Sequence, residues 1–261
     1  MGLLRALGSC EKHRMRPLVL LSNDDGFYSR GIRLVRDALA PTCDVVTVAP
    51  ATEQSAASHA LSLHRPLRLR EMDPGVFAVD GTPADCVYVA LHAGTRVLPR
   101  RPDVVVSGVN HGLNLGQDVF YSGTVAAARE AALRKIPAIA ASAHARADFE
   151  AVAALAARIA HALVGQPPVL LNLNVPEKWN GGVRATRLGT RHYEDYVEFR
   201  QDPRGREYLW IGGSGVTHAE DDGTDTSAYD AGLASLTPLV LDLSDPRADV
   251  TEIARAVVKT G

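Results

Sequence analysis

Two adjacent carboxylates, Asp24 and Asp25, stand in the run Ser22-Asn23-Asp24-Asp25-Gly26. Within a strand neighbouring side chains point to opposite faces, but in a turn at a strand end both can converge. Two carboxylates held together repel, and one takes up a proton unless a cation sits between them. Joined by Ser or Asn oxygens, they form a hard site suited to Mg²⁺ or Mn²⁺ rather than zinc. The same residues also read as an ordinary turn with an Asp helix cap. A second cluster, Tyr121-Ser122-Gly123-Thr124, precedes an Ala-rich stretch. Free N–H groups at a helix start, with hydroxyls and a glycine allowing close approach, can hold a phosphate. A plain Ser cap is the alternative. Gly112, Gly116 and Gly123 do not form GxGxxG, and Walker-type, HExxH and GxSxG patterns are absent. Dinucleotide, P-loop, zinc-protease and serine-hydrolase chemistries are therefore unsupported. His59 follows the Ala51–Ser55 segment and His111 adjoins Asn110, so both are placed to line the same site.

These residues need elements to carry them. Residues 17–22, 44–50, 76–79, 103–107, 137–142 and 169–175 are short apolar runs that read as buried strands. Helical spacing or Ala-rich composition marks 32–39, 121–135 and 149–164, and Pro83 opens a helix to His92. Alternating strands and helices imply an α/β three-layer, Rossmann-like sandwich with a mostly parallel, mixed sheet. In such a sheet ligands bind beyond the carboxyl ends of the strands. The segments following the first strand (22–26), the second (51–55) and the 103–107 strand (108–116) are rich in Gly and oxygen-bearing side chains. All three should share one edge. From 179 to 226 Gly, charged and aromatic residues replace the alternation. This stretch is expected to be a β-rich excursion with a protruding hairpin near 207–211, used in subunit contacts. A returning strand at 236–243 and a helix at 249–258 close the chain.

The 261 residues are 46% hydrophobic and 22% charged, with net charge −2, which argues against disorder, a coiled coil and a general binder of nucleic acid or anionic membranes. Cys10, Cys43 and Cys86 are far apart and odd in number, giving neither a disulfide framework nor a zinc knuckle. No apolar run reaches the ~18 residues of a membrane span. Leu7-Gly8-Ser9-Cys10 loosely matches a lipoprotein cleavage site, but the apolar stretch before it is interrupted by Arg5 and is too short for a signal core. The expectation is a cytoplasmic protein, with residues 1–15 a disordered tail or a misassigned start and 16–261 one α/β domain.

Several stretches together resemble the SurE family of survival protein E nucleotidases. They are SNDDG (22–26), APATEQSAASHAL (49–61), GTPADCV (81–87), SGVNHGLNLG (107–116), YSGTVAAAREA (121–131), NLNVP (172–176) and GTDTSAYDAGLASLTPL (223–239). The resemblance spans about 16 to 258. It implies a metal-dependent phosphatase acting on nucleoside 5′- and 3′-monophosphates, with polyphosphate as a further substrate. It implies one divalent ion, Mg²⁺ or Mn²⁺, per subunit, held by Asp24, Asp25, Ser55 and Asn110. It places phosphate at Ser122, Gly123 and Thr124, and Asn23 and Asn114 at further polar positions of the same pocket. It implies a homodimer or homotetramer with exchanged or extended C-terminal segments. Two residues depart from the pattern: His111 stands where Arg is common and Gln54 where a basic residue is common. Both remove permanent positive charge beside the expected phosphate.

The implied reaction is hydrolysis assisted by one divalent ion, with Asp25 the candidate base for water and His59 or His111 the nearby acids. A haloacid-dehalogenase-type phosphatase is the catalytic rival, but its nucleophilic position would be Asn23, which cannot form an acyl phosphate. A non-catalytic nucleotide or polyphosphate sensor is the rival of another class, and turnover separates the two.

Overall fold

The computed structural model describes residues 15–194, 196–212, 215–219 and 221–258. In chain order the elements are β1 (Leu18–Ser22), α1 (Arg30–Leu39), β2 (Asp44–Pro50), β3 (Leu69–Asp73), β4 (Val76–Val79), α2 (Pro83–His92), β5 (Val104–His111), α3 (Gly123–Leu133), β6 (Ala138–Ala143), α4 (Phe149–Leu163), β7 (Leu170–Val175), β8 (Val183–Ala185), β9 (Arg191–Tyr193), β10 (Tyr196–Gln201), β11 (Glu207–Gly212), β12 (Val216–His218), α5 (Asp225–Asp230), β13 (Ala234–Leu239) and α6 (Thr251–Val258). The expectations for residues 1–14 lie outside the described residues.

Nine strands form one sheet in the order β3-β4-β2-β1-β5-β6-β7-β13-β8. From β4 to β7 every pairing is parallel, while β3 and β13 join antiparallel. The α/β sandwich is therefore as expected. Strand alternation divides the core. Val19, Leu21, Val104 and Val106 pack with Ile32, Val35 and Val152 of α1 and α4. Leu18, Leu20 and Val105 pack on the other face with Val87, Val125 and Ala128 of α2 and α3. Helices thus cover both faces, and this is why β1, buried at every position, carries no polar residue before Ser22.

The helix starts follow from sequence. Thr82 and Asp85 form a reciprocal capping box ahead of α2, with Pro83 in its first turn. Ser122 caps α3 and Asp148 caps α4. The 103–107 strand runs longer than expected, through Asn110 and His111, and its register against β6 shifts between Gly108 and Asn110. That bulge at Val109 re-aims the residues after it, so Asn110 and His111 belong to the strand rather than to a loop. The 179–226 stretch contains the β10–β11 hairpin and a β9–β12 pair. Among the described residues no helix is long and apolar enough to cross a membrane.

Candidate active site

Successive strands leave β1 toward β2 on one side, and β5 lies on its other side. A crevice opens at such a reversal, beyond the carboxyl ends of the strands. A cavity of about 1150 Å³ occupies this place and is lined by Asp24, Asp25, Ser55, Asn110, Asn114 and Ser122, among others. Asp24 and Asp25 come from the end of β1, Ser55 from the segment after β2, and Asn110 from the end of β5. Asn114 and Ser122 come from the connection to α3.

Asp24 is buried and faces the start of α3. The Thr124 amide donates to its Oδ2 at 3.0 Å, and the Thr124 hydroxyl donates to its Oδ1. Burial pushes the Asp24 carboxyl up to about 6, the Thr124 hydroxyl pulls it back, and the neighbouring Asp25 charge pushes it up again. Asp25 is also raised, chiefly by burial, although the His111 amide donates to its Oδ2 at 3.2 Å. The site therefore stores two strained negative charges. Gly123 permits this approach: a Cβ there would lie 2.9 Å from the Asp24 Cβ and 3.0 Å from the Pro83 Cγ.

The remaining oxygens are oriented by their partners. Ser55 donates its hydroxyl proton to Glu53 Oε1 at 2.6 Å, so the Oγ lone pairs remain for a cation. Asn110 Nδ2 donates to the Gly112 carbonyl at 3.0 Å, which leaves the side-chain amide oxygen available to a cation. The donor set is two carboxylates, a hydroxyl and an amide oxygen, which suits a hard divalent cation. Four carboxylates, Asp24, Asp25, Glu53 and Asp118, line the cavity against one guanidinium, Arg30, and Arg30 is paired with Glu150 at 2.7 Å.

Asn114 is held by groups that sequence reasoning left without a role. Its amide donates to Asn174 Oδ1 at 2.7 Å, and its carbonyl accepts from Asn172 Nδ2 at 2.8 Å and Asn174 Nδ2 at 3.1 Å. Its own Nδ2 donates to Ser142 Oγ at 2.8 Å. The alternating Asn residues of β7 were a signal: two amides on one face of a buried strand need polar partners. Asp225 does similar work from α5, accepting from the Gly116 amide at 2.9 Å and the Gly189 amide at 2.7 Å. Gly116 has φ +52 and a Cβ there would meet the Gly189 carbonyl at 2.6 Å, so this junction requires glycine. Asp118 binds Arg191 and the Tyr193 hydroxyl, which ties β9 to the cavity rim.

The remaining predicted residues take different places around the cavity. Asn23 is fully buried, does not line the cavity, and donates to the Gly26 carbonyl at 2.9 Å and Ser29 Oγ at 2.8 Å, while its Oδ1 has no hydrogen-bond partner among the described residues. Gly123 and Thr124 also stand behind the cavity wall, because Thr124 spends its hydroxyl and amide on Asp24. Ser122 is both a cap and a cavity residue: its Oγ accepts from the Val125 amide at 3.0 Å and the residue lines the opening. His59 is not in the cavity, for its ring binds Glu130 at 2.8 Å; His111 is, with its ring stacked 5.7 Å from that of Phe149.

Residues 19–195 match the family model described as survival protein SurE. The chain is 65% identical over 236 residues to a protein of Sorangium cellulosum named 5′-nucleotidase SurE, covering 88% of this chain and 92% of that one. It is 50% identical to a protein of the same name from Geobacter metallireducens, covering 87% and 92%. A crystal structure of the SurE protein from Aquifex aeolicus superposes with a TM-score of 0.76 at 38% identity, covering 93% of this chain and all (100%) of that one. With the fold, the seven sequence stretches and these relatives in agreement, the chain belongs to the SurE family.

Proposed function

We propose that this chain is a divalent-metal-dependent 5′-nucleotidase, hydrolysing nucleoside 5′-monophosphates with water to nucleoside and phosphate. Nucleoside 3′-monophosphates and polyphosphate are further substrates of the same centre. The observation that carries this reading is the charge balance of the cavity. Its lining carboxylates would repel a dianionic phosphate, and a divalent cation between Asp24 and Asp25 would offset the charge of that pair. The 5′-nucleotidase name of the relatives from Sorangium and Geobacter supports the substrate class.

Asp24, Asp25, Ser55 and Asn110 would hold the ion, Mg²⁺ or Mn²⁺. A bound divalent ion supplies Lewis-acid polarisation of a phosphoryl oxygen and a more acidic water. The protein supplies the rest. Thr124 fixes the Asp24 carboxylate, and Gly123 leaves room for it. Ser122, whose Oγ already accepts from the Val125 amide, directs its hydroxyl proton to a phosphoryl oxygen. Asn114, locked from three sides, positions an amide at the same wall. Asp25 takes the proton of the attacking water. The leaving alkoxide takes its proton from solvent or from His111.

Phosphate release should be measured for AMP, 3′-AMP, polyphosphate and a phosphodiester. Monoesters should turn over and the diester should not, because it lacks the dianionic terminal group. Diester turnover matching that of AMP would reject the assignment. Ser122→Ala should raise KM or lower kcat for AMP by about tenfold, the order expected for one charge-assisted hydrogen bond.

A further inference from the structure

His59 and Glu130 take no part in the chemistry above, yet Glu130 is a carboxylate 2% exposed in the middle of α3. A charge so placed needs partners. It has two: His59 Nε2 at 2.8 Å from Oε2, and Arg134 at 2.9 Å from Oε1. His59 stands four residues beyond Ser55, on the segment that follows β2. We propose that His59, anchored on Glu130, is a positioning residue that pins the Ser55 turn against the carboxylate pair. This rests on the metal-dependent reading only in naming Ser55 as the side chain delivered.

Within the turn Ala57 N donates to the Gln54 carbonyl at a long 3.3 Å. Ala56 and Ser58 have φ of 56° and 50°, a left-handed backbone that residues with a Cβ disfavour. Ser55 itself is exposed, so burial does not hold it. The segment is tied down at its edges. Gln54 N donates to the Asp24 carbonyl at 2.8 Å, and Ser58 N to the Tyr121 carbonyl at 3.0 Å. Ser58 Oγ donates to the Phe120 carbonyl at 2.7 Å. Farther on, Thr82 donates to the Ala60 carbonyl at 2.7 Å and Ser62 N to Asp85 Oδ1 at 2.9 Å. Hydrogen bonds to neutral carbonyls, as most of these are, exchange with water at small net cost. The contact to Glu130 does not, because releasing it leaves a buried carboxylate with Arg134 alone. The same helix that holds Asp24 through Thr124 at its start therefore holds the Ser55 turn through Glu130 two turns on. One rigid element sets both halves of the ligand set.

The test compares His59→Asn, too short to reach Glu130, with His59→Gln, which can still donate to it. The metal-free proteins are followed by amide hydrogen exchange, then by Mn²⁺ calorimetry and AMP kinetics. In His59→Asn the Gln54 and Ser58 amides should exchange at least about tenfold faster while those of β1 and β5 are unchanged, the scale of one lost charged hydrogen bond. Mn²⁺ affinity and kcat should fall together by a similar factor, with KM for AMP little altered, and His59→Gln should recover most of each. Should His59→Asn not fold, Glu130→Gln keeps an acceptor but loses the charge, and the same two amides should be partly released. Unchanged exchange at Gln54 and Ser58, or equal acceleration throughout the sheet, overturns the proposal. Absence of AMP turnover in the unaltered enzyme would instead reject the functional reading, and the exchange result would stand apart from it.

Discussion

The Asp24 carboxyl, ordinarily near 3.8, is held at about 6 by burial and by Asp25. The folded state therefore binds an extra proton between those two values. Stability of the metal-free protein should be greatest at the acid end of that window and fall as pH rises through about 6, by roughly 3 kcal/mol in all. Asp24→Asn keeps the size and can still meet both Thr124 groups but has no charge to strand. Without metal at neutral pH it should melt above wild type, and the difference should shrink toward pH 4 as Asp24 protonates. Equal melting curves across that range would show that no such charge is stored. Adding Mg²⁺ or Mn²⁺ should stabilise wild type more than the variant, because the ion binds the folded state through that charge. The convergence of Asp24 and Asp25 at the end of β1 was legible as one of two readings of the dipeptide, the other being a plain turn, and the resemblance to the SurE family decided between them. Its supporting bonds were not, since Thr124 is 100 residues away and His59 and Glu130 are 71 apart. Asn23 could not be separated from its neighbours either, because only the turn geometry decides that it faces Gly26 and Ser29.

Among the elements, the strands from β1 to β7 that lie inside the sheet were legible as apolar runs, and the capped helices between them as periodic or Ala-rich ones. β3 was not: it is an exposed edge strand, Leu-Arg-Glu-Met-Asp, with no buried face to impose alternation. The extension of β5 was hidden for the opposite reason. Gly108 and Gly112 read as loop residues, yet the bulge that follows Gly108 delivers Asn110 to the site. α5 is six residues long and shows only its capping box, Thr224 with Ser227. The junction of α3 with β1 gives a prediction of its own. Gly123→Ala would put a Cβ 2.9 Å from the Asp24 Cβ and against Pro83, at the packed start of a helix. The overpacking should cost about 1–3 kcal/mol of stability. It should also displace Asp24, so kcat should fall at least about tenfold, in the range of a mispositioned catalytic group. A variant with wild-type melting and turnover would mean that α3 does not set the position of Asp24.

At the level of the whole molecule, two surfaces lack a partner within the described chain. On the β10–β11 hairpin Phe199 is 61% exposed, Trp210 62% and Ile211 83%. In the C-terminal region Leu243, Val250 and Ile253 are similarly exposed. Apolar patches of this kind mark contact surfaces, and a closed homodimer or homotetramer would cover them. Light scattering should give an even oligomer at micromolar concentration, and Trp210→Asp should shift it toward smaller species; a monomer under the same conditions would refute this. The 179–226 stretch showed its aromatic content in the sequence, but the split into two small sheets depends on pairings that no local pattern carries. The account as a whole stands on the cation proposed between Asp24 and Asp25. The direct measurement is AMP hydrolysis by wild type and Asp24→Asn after chelation and again after restoring Mg²⁺ or Mn²⁺. Wild type should lose activity in chelator and regain it with metal, while kcat of Asp24→Asn should stay at least about 10²-fold lower, the scale of a lost electrostatic catalytic group. Full activity in chelator, or a fully active Asp24→Asn, would contradict the assignment.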